Sequence, residues 1–293
     1  MSSVKLSICV PTYNGAETIK LCLQSIFEAR KGFEDTVEII VSDNASTDDT
    51  HKIASSFIES NYFVYRNNVN VGYNQNLYRL VDEYSKGEFV WTIGDDDLIS
   101  KYSIELFMKY ASQMDLLLLD NRVLSNNDAL NSARKLSARK MSYYMAIDKI
   151  ANGSNLLATF MTCAIFRRET INKCDKSNIQ VSDWDTYSKV FPNGYLLNVG
   201  FSDCNNAYCA DEIYVYNIPV ARPWAEKMVH IQTKMLPEFY IDICKNENAY
   251  KALKRTRFLL IKALLKISIF YKDIKYKKKA IKSLYCILTC RGK

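Results

Sequence analysis

The sequence predicts an α/β domain on a Rossmann-like, mainly parallel sheet flanked by helices, followed by a basic helical C-terminal extension. Three observations predict it. Strand-like and helix-like segments alternate through the first hundred residues. The strand-like segments are short apolar runs of the kind buried on both faces, as parallel strands are. Nearly every one of them ends in a cluster of polar residues, and in such sheets ligands bind outside the carboxyl ends of the strands.

The elements follow in order. "KLSICV" (5–10) is an apolar run closed by Pro11 and reads as the first strand. In "ETIKLCLQSIFEAR" (17–30), Ile19, Leu23, Ile26 and Phe27 recur at helical spacing. "VEIIVS" (37–42) is a second buried-type strand, and Ser46 and Thr47 stand as helix caps before "HKIASSFIES" (51–60). "YFVYR" (62–66) is a third strand and "YNQNLYRLVDEYS" (73–85) a third helix; Lys86-Gly87 stops it, and "EFVWTI" (88–93) is the fourth strand. This β-α-β-α-β-α-β order selects the parallel sheet. Past residue 100, "MDLLLLD" (114–120) reads as a strand, the polar segment 121–150 as a loop, "LLATFMTCAIFRRE" (156–169) as apolar again, and "SDWDTYSKVF" (182–191) as the start of a helix.

At 293 residues the chain is long enough for one large α/β domain, or for a domain of about 200 residues with an appendage. The net charge of +7 is mild, but it is concentrated after Lys245, where acids are nearly absent. Nine cysteines without a CxxC pair, and two histidines far apart, lead us to expect reduced thiols in a cytoplasmic protein rather than a zinc site. The N-terminal "MSSVKLSICVPTYNG" lacks the layout of a signal peptide, and no run of 18 apolar residues predicts a transmembrane helix.

The polar clusters that follow the strands are Pro11-Thr12-Tyr13-Asn14, Asp43-Asn44 and Asp95-Asp96-Asp97. Three adjacent carboxylates repel one another, so they call either for a cation or for free solvation in a Gly/Asp turn. The blocks "SICVPTYNGAETIKLCLQSI", "EIIVSDNASTDDT" and "NVGYNQNLYRLVDEYSKGEFVWTIGDDD", in this order and spacing, resemble a family-2 inverting glycosyltransferase with the A-type (GT-A) nucleotide-sugar-binding fold. "CAIFRRETI" and "VSDWDTYSKV" resemble the acceptor side of the same family, so the resemblance spans about residues 4 to 192.

What the resemblance implies can be stated residue by residue. Pro11, Thr12, Tyr13 and Asn14 form the loop over which the base lies, and Asp43, followed by Asn44, contacts the nucleoside; Asp43 also suits a helix cap or Asx-turn. Asn70, Gly72 and Asn76 match the turn and helix before the acidic motif. That motif usually reads Asp-x-Asp-Asp, and here Gly94 stands in place of the first Asp. By this alignment Asp96 is the ligand of a divalent metal (Mn²⁺ or Mg²⁺), with Asp97 adjoining it. The ribose contact is left open, with Asp95 able to supply it from one residue later. On the acceptor side Ser182 replaces the usual Glu, so Asp183 is the expected base; Asp185 comes next, then Asp203 and Asp211. Capping a helix is the competing role for Asp183. Arg222, Trp224 and His230, in "NIPVARPWAEKMVH" (217–230), are candidate pyrophosphate or acceptor contacts, or loop packing.

The expected organisation is a glycosyltransferase domain over 1–235, with a nucleotide-binding half (1–100) and an acceptor-binding half (101–235), and a basic amphipathic region over 236–293. The expected activity is metal-dependent inverting transfer from a nucleotide-sugar to a saccharide, lipid-linked, in surface polysaccharide synthesis. In "RTRFLLIKALLKISIFYKDIK", Arg255, Lys262, Lys266 and Asp273 fall on one narrow stripe of a helix that is otherwise apolar. Such a helix suits the cytoplasmic face of an anionic membrane, a helical hairpin packed on the domain, or a homodimer interface. The charge arrives without a nucleic-acid-binding module, which argues against that partner. A sugar-nucleotide nucleotidyltransferase would need a Gly-rich basic phosphate loop after the first strand, which "PTYNGAETIK" does not offer. A non-catalytic sugar-nucleotide- or glycan-binding protein with decayed chemistry is the third reading, and the retention of Asp43, Asp96 and Asp183 together argues against it.

Overall fold

The computed structural model describes residues 4–124, 135–151, 161–172, 197, 199–219 and 228–290. Among these residues nine strands form one sheet: β1 (Leu6–Thr12), β2 (Val37–Asp43), β3 (Tyr62–Arg66), β4 (Phe89–Thr92), β5 (Asp97–Ile99), β6 (Leu116–Val123), β7 (Ala138–Met141), β8 (Ala164–Arg167) and β9 (Ala207–Asn217). Their order is β3-β2-β1-β4-β8-β6-β9-β5, with β7 also on β9.

The first half of the sheet is parallel throughout. Leu6 sits opposite both Val37 and Phe89, and Thr12 lies beside Asp43, which in turn lies beside Arg66. The carboxyl ends of these strands therefore finish together at one pole. Every residue of β1 and β2 is buried, as expected for central parallel strands. Beyond β4 the sheet becomes mixed. β8 runs antiparallel between β4 and β6, β9 runs parallel to β6, and β5 and β7 run antiparallel on β9.

Two apolar layers cover the sheet. On one face helices α1 (Ile19–Arg30) and α4 (Ser103–Tyr110) bury Leu23, Ile26, Ile104 and Phe107 against Ile8, Ile39 and Trp91. On the other face α5 (Tyr143–Lys149) and the C-terminal helices pack Tyr143, Ile147, Phe239, Leu260 and Leu264 against Cys9, Val90 and Leu116. Each such side chain, fully buried, contributes about 1.5–3 kcal/mol.

Several sequence expectations need correction. The second helix spans only Thr50–Ala54, because Ser56 folds its hydroxyl back onto the Ile53 carbonyl and competes with the helical ladder. Ser46 and Thr47 do not cap it; the residue before it is Asp49. The third helix is α-helical over Tyr73–Tyr78 (α3) and widens into a π-helical turn over Arg79–Tyr84. The segment 121–150 is not simply a loop. It contains the end of β6, the edge strand β7 and α5, whose apolar Tyr143, Tyr144, Ala146 and Ile147 are buried while Lys and Asp neighbours conceal the pattern. Finally, Asp97 does not lie in a turn: it opens β5, paired opposite Asn217.

The chain ends in helices at Leu236–Ile243, Glu247–Ala252, Lys254–Phe270 and Ile274–Thr289. The last two form a hairpin whose Leu260, Leu264, Ile267, Ala280 and Ile287 belong to the second apolar layer. Among the described residues no helix is long and apolar enough to cross a membrane. The eight described cysteines are free, and burial pushes the Cys9 thiol up to about 12.

Candidate active site

The strand ends gather the predicted polar clusters at one pole of the sheet. The loop after β1 is fastened to the loop after β2. Asn14 adopts a left-handed backbone (φ +52°), its N–H donates to Ser46 Oγ at 2.9 Å, and its Oδ1 accepts from the Thr47 N–H at 2.9 Å. The Gly15 N–H donates to Thr50 Oγ1 at 2.8 Å. Pro11 and Thr12 are buried in the end of β1, whereas Tyr13 is 44% exposed and free to meet a ligand.

Asp43, at the end of β2, is fully buried. Its Oδ1 accepts from the Ser46 N–H at 2.9 Å, the Asx-type role that the sequence allowed. Its Oδ2 makes no hydrogen bond, although Arg66 Nε lies 3.4 Å away and His51 Nδ1, itself buried without a hydrogen bond, lies 3.6 Å away. A buried carboxylate oxygen that faces cationic groups without a hydrogen bond is costly, and it marks a position where a ligand donor is favourable.

Asn44, Asn67, Asn70 and Asn76 form an amide network. Asn44 donates to Asn70 Oδ1 at 2.9 Å and accepts from Asn67 and the Val71 N–H. Asn76 accepts from Ser42 Oγ at 2.7 Å and donates to the Ser42 carbonyl at 3.0 Å. Both ends of the Asn76 amide are thereby committed to holding the end of β2. Gly72, at φ +83°, supplies the left-handed turn into α3.

The acidic turn follows β4. Two glycines make it possible. A side-chain carbon at Gly94 would stand 2.6 Å from Asp97 Oδ2 and 3.0 Å from Asp96 Oδ1, so both carboxylates lean over the bare glycine. A side-chain carbon at Gly15 would collide with the Asp95 carboxylate. Asp95 turns instead towards β1, where Thr12 Oγ1 donates to its Oδ2 at 2.5 Å. The absent first Asp of the motif is thus tied to geometry: position 94 is the floor on which Asp96 and Asp97 approach each other.

Asp97 is buried and fully partnered. Thr162 Oγ1 donates to its Oδ2 at 2.5 Å, and Asn217 Nδ2 donates to its Oδ1 at 2.5 Å. Burial foremost, then the neighbouring Asp96, pushes the Asp97 carboxyl up to about 8, against the hydrogen bonds that favour its charge. Between its ordinary value and about 8 the folded chain holds a proton that the unfolded chain releases, so this group weakens the fold as pH rises across that window.

Do the residues suit a divalent cation? Mg²⁺ and Mn²⁺ take hard oxygen ligands, usually only one or two protein carboxylates beside phosphate oxygens and waters. Asp96 and Asp97, converging over Gly94, offer that set, and their crowding is the repulsion a cation relieves. Among the described residues no group of three or more His, Cys, Asp or Glu side chains is placed to hold a metal ion, so the protein's share of such a site is this carboxylate pair.

Thr162 and Asn217 were not anticipated. Asn217 ends β9 and is therefore another polar residue at a strand end, a signal visible in "YVYNIP". Thr162, whose Oγ1 also accepts from the Gly94 N–H at 3.0 Å, is one hydroxyl in an apolar stretch and carries no such signal. Of the acceptor-side residues, Asp183, Asp185, Arg222 and Trp224 lie outside the described residues. Asp211 pairs with Arg139 at 2.7 Å and Lys149 at 3.1 Å on the surface, and Asp203 lines a separate cleft with Tyr144 and Lys251. His230 is half-buried in the run of helix that leads to Leu236.

Comparison with known proteins agrees with this geometry. The model of the family described as "Glycosyl transferase family 2" matches residues 7–174. Abequosyltransferase RfbV of Salmonella typhimurium is 37% identical over 122 residues, covering 40% of this chain and 36% of that protein. The GalNAc(5)-diNAcBac-PP-undecaprenol beta-1,3-glucosyltransferase of Campylobacter jejuni is 34% identical over 113 residues, covering 37% of this chain and 35% of that protein. The chain therefore spans little more than a third of the length of these relatives. Among solved structures, the mannosyltransferase PcManGT from Pyrobaculum calidifontis, in complex with GDP-Man and Mn²⁺, superposes with a TM-score of 0.60 at 14% identity, covering 98% of this chain and 86% of that one. That likeness shows the GT-A fold.

Proposed function

The chain belongs to glycosyl transferase family 2, and from that premise we propose that it is a metal-dependent, inverting glycosyltransferase. In this reading it moves a sugar from a nucleotide-sugar to a saccharide carried on a lipid. The observation that carries the reading is the meeting, at one pole of the sheet, of the Asp96–Asp97 pair over Gly94 with the interlocked loops after β1 and β2.

The roles follow from the chemistry. Tyr13 and the Asn14 loop flank the base, and Asp43 Oδ2, which makes no hydrogen bond within the protein, accepts from the nucleoside. Asp95, held by Thr12, faces the ribose. Asn44, Asn70, Gly72 and Asn76 keep this wall in place. Asp96 and Asp97 hold the cation, which when bound stabilises the negative charge of the departing diphosphate. Asp183 takes the proton of the acceptor hydroxyl as that oxygen attacks the anomeric carbon and the carbon–diphosphate bond breaks on the opposite side. Arg222 and Trp224 serve the pyrophosphate or the acceptor. In this organisation residues 1–100 bind the donor, 101–235 the acceptor, and 250–293, within the C-terminal helical region 236–293, meet the cytoplasmic face of a membrane that holds the lipid-linked acceptor. The lipid carrier of the Campylobacter relative supports that acceptor class, and the Mn²⁺ and GDP-Man of the structural neighbour support the cofactor and donor classes.

A thermal-shift screen of UDP-, GDP-, CDP- and dTDP-sugars tests the donor reading. One nucleotide class is expected to raise Tm by several degrees with Mn²⁺ and by much less without it, since binding to the folded state alone at 100 Kd adds about 2.7 kcal/mol. No shift with any of the four would refute it.

A further inference from the structure

The outer face of the C-terminal hairpin exposes an unusual concentration of apolar side chains. Among the described residues 18 large hydrophobic side chains remain exposed, and eight of them lie on Lys254–Phe270 and Ile274–Thr289. They are not scattered. On the first helix Phe258, Leu265 and Ile269 share a stripe with Lys262, directly opposite the buried Leu260, Leu264 and Ile267. On the second, Ile281, Tyr285 and Leu288 share a stripe with Lys278, about 130° round the helix from the buried Ala280 and Ile287. Both buried stripes enter the same apolar layer, so both exposed stripes look away from the domain.

The charge on this face has one sign. From residue 254 to 290 the chain carries eleven Lys and Arg against one acid, Asp273, and that carboxylate caps the second helix by accepting from the Lys275 N–H at 2.8 Å. A second copy of the chain would oppose this field with an equal one, because a two-fold interface brings the same patch to itself. An apolar ridge with lysines inside it and beside it instead fits a surface that is anionic outside and apolar beneath. The lysine stems lie along the apolar layer while their ammonium groups reach the headgroups. The helices are about 26 and 24 Å long at 1.5 Å per residue, suited to lying in the interface, and neither is long and apolar enough to cross it.

We propose that this face docks the protein on an anionic lipid bilayer, with both helices lying parallel to the membrane plane. The proposal gives a place to the membrane contact in the functional reading, and it stands apart from the donor chemistry because vesicle binding is read without nucleotide.

Flotation of the full chain with vesicles of phosphatidylcholine alone, or with a quarter phosphatidylglycerol, tests it. Binding to the anionic vesicles is expected to be at least tenfold tighter and to weaken steeply with salt. Ile269→Ser, Ile281→Ser and Tyr285→Ser combined, all exposed positions, are expected to lower it at least tenfold while Tm and the nucleotide-induced shift stay unchanged. Two results would overturn the proposal: a wild-type chain that does not float with anionic vesicles, or a triple variant that floats as well as wild type. Concentration-dependent dimerisation lost in the same variant, without vesicle binding, would assign the face to a second copy instead. A chain that floats but binds no nucleotide would uphold the docking face and sink the transferase reading alone.

Discussion

Asp96→Asn is expected to slow sugar transfer by about 10²–10³-fold, the usual cost of removing a group that stabilises developing charge, while the cation-free protein keeps or slightly raises its Tm. The two halves of this prediction come from one geometry. Asp96 Oδ1 and Asp97 Oδ2 both approach the open side of Gly94, and Asp96 is one of the charges that push the Asp97 carboxyl up to about 8. Removing the Asp96 charge relieves a repulsion, so a residue present only for structure would not behave this way. A functional site characteristically retains such unfavourable pairs at the expense of stability. Kinetics with and without Mn²⁺, beside thermal melts of the cation-free protein, check both halves; undiminished Mn²⁺-dependent transfer by the variant would count against the assignment.

Asp183→Asn is expected to lower kcat by about 10²–10⁴-fold, the range for loss of a general base, and to leave the nucleotide-induced thermal shift intact. The carboxamide keeps the size of the side chain but cannot accept the acceptor's proton. Asp185→Asn is the internal control, expected to remain within a few-fold of wild type. If the Asp185 variant lost turnover and the Asp183 variant kept it, the base would be the second carboxylate. Weaker nucleotide binding in the Asp183 variant would point to a helix-capping role instead.

The parts of this fold that were legible in the sequence are those whose burial is local and continuous. β1, β2 and β4 lie inside the sheet and read as unbroken apolar runs. The polar residues that close them lie together because parallel strands in register end together. The parts that were not legible depend on distant partners. β7 is an exposed edge strand reading "ARKM", and it exists because β9 offers it a ladder. α5 is buried by the C-terminal helices, with Asp148 accepting from the Arg255 and Thr256 N–H groups more than a hundred residues on.

The acidic turn shows both cases at once. That three aspartates follow an apolar strand is visible in "FVWTIGDDDL". That they take different partners is not. Asp95 turns to Thr12, and Asp97 is held in β5 by Thr162 and Asn217 with its Oδ2 still over Gly94, so Asp96, beside it over the same glycine, is the half-buried member. The order β4-β8-β6-β9-β5 produces this separation, by bringing residues 162 and 217 to the same turn.

In the proposed reaction this turn holds a divalent cation beside the donor's diphosphate. Anomalous scattering from Mn²⁺ in crystals grown with the nucleotide selected by thermal shift measures it most directly. The predicted result is a single strong peak within direct coordination distance of a carboxylate oxygen of Asp96 and in contact with diphosphate oxygens. Bound nucleotide with no peak at the acidic turn, or a peak elsewhere in the protein, would contradict it.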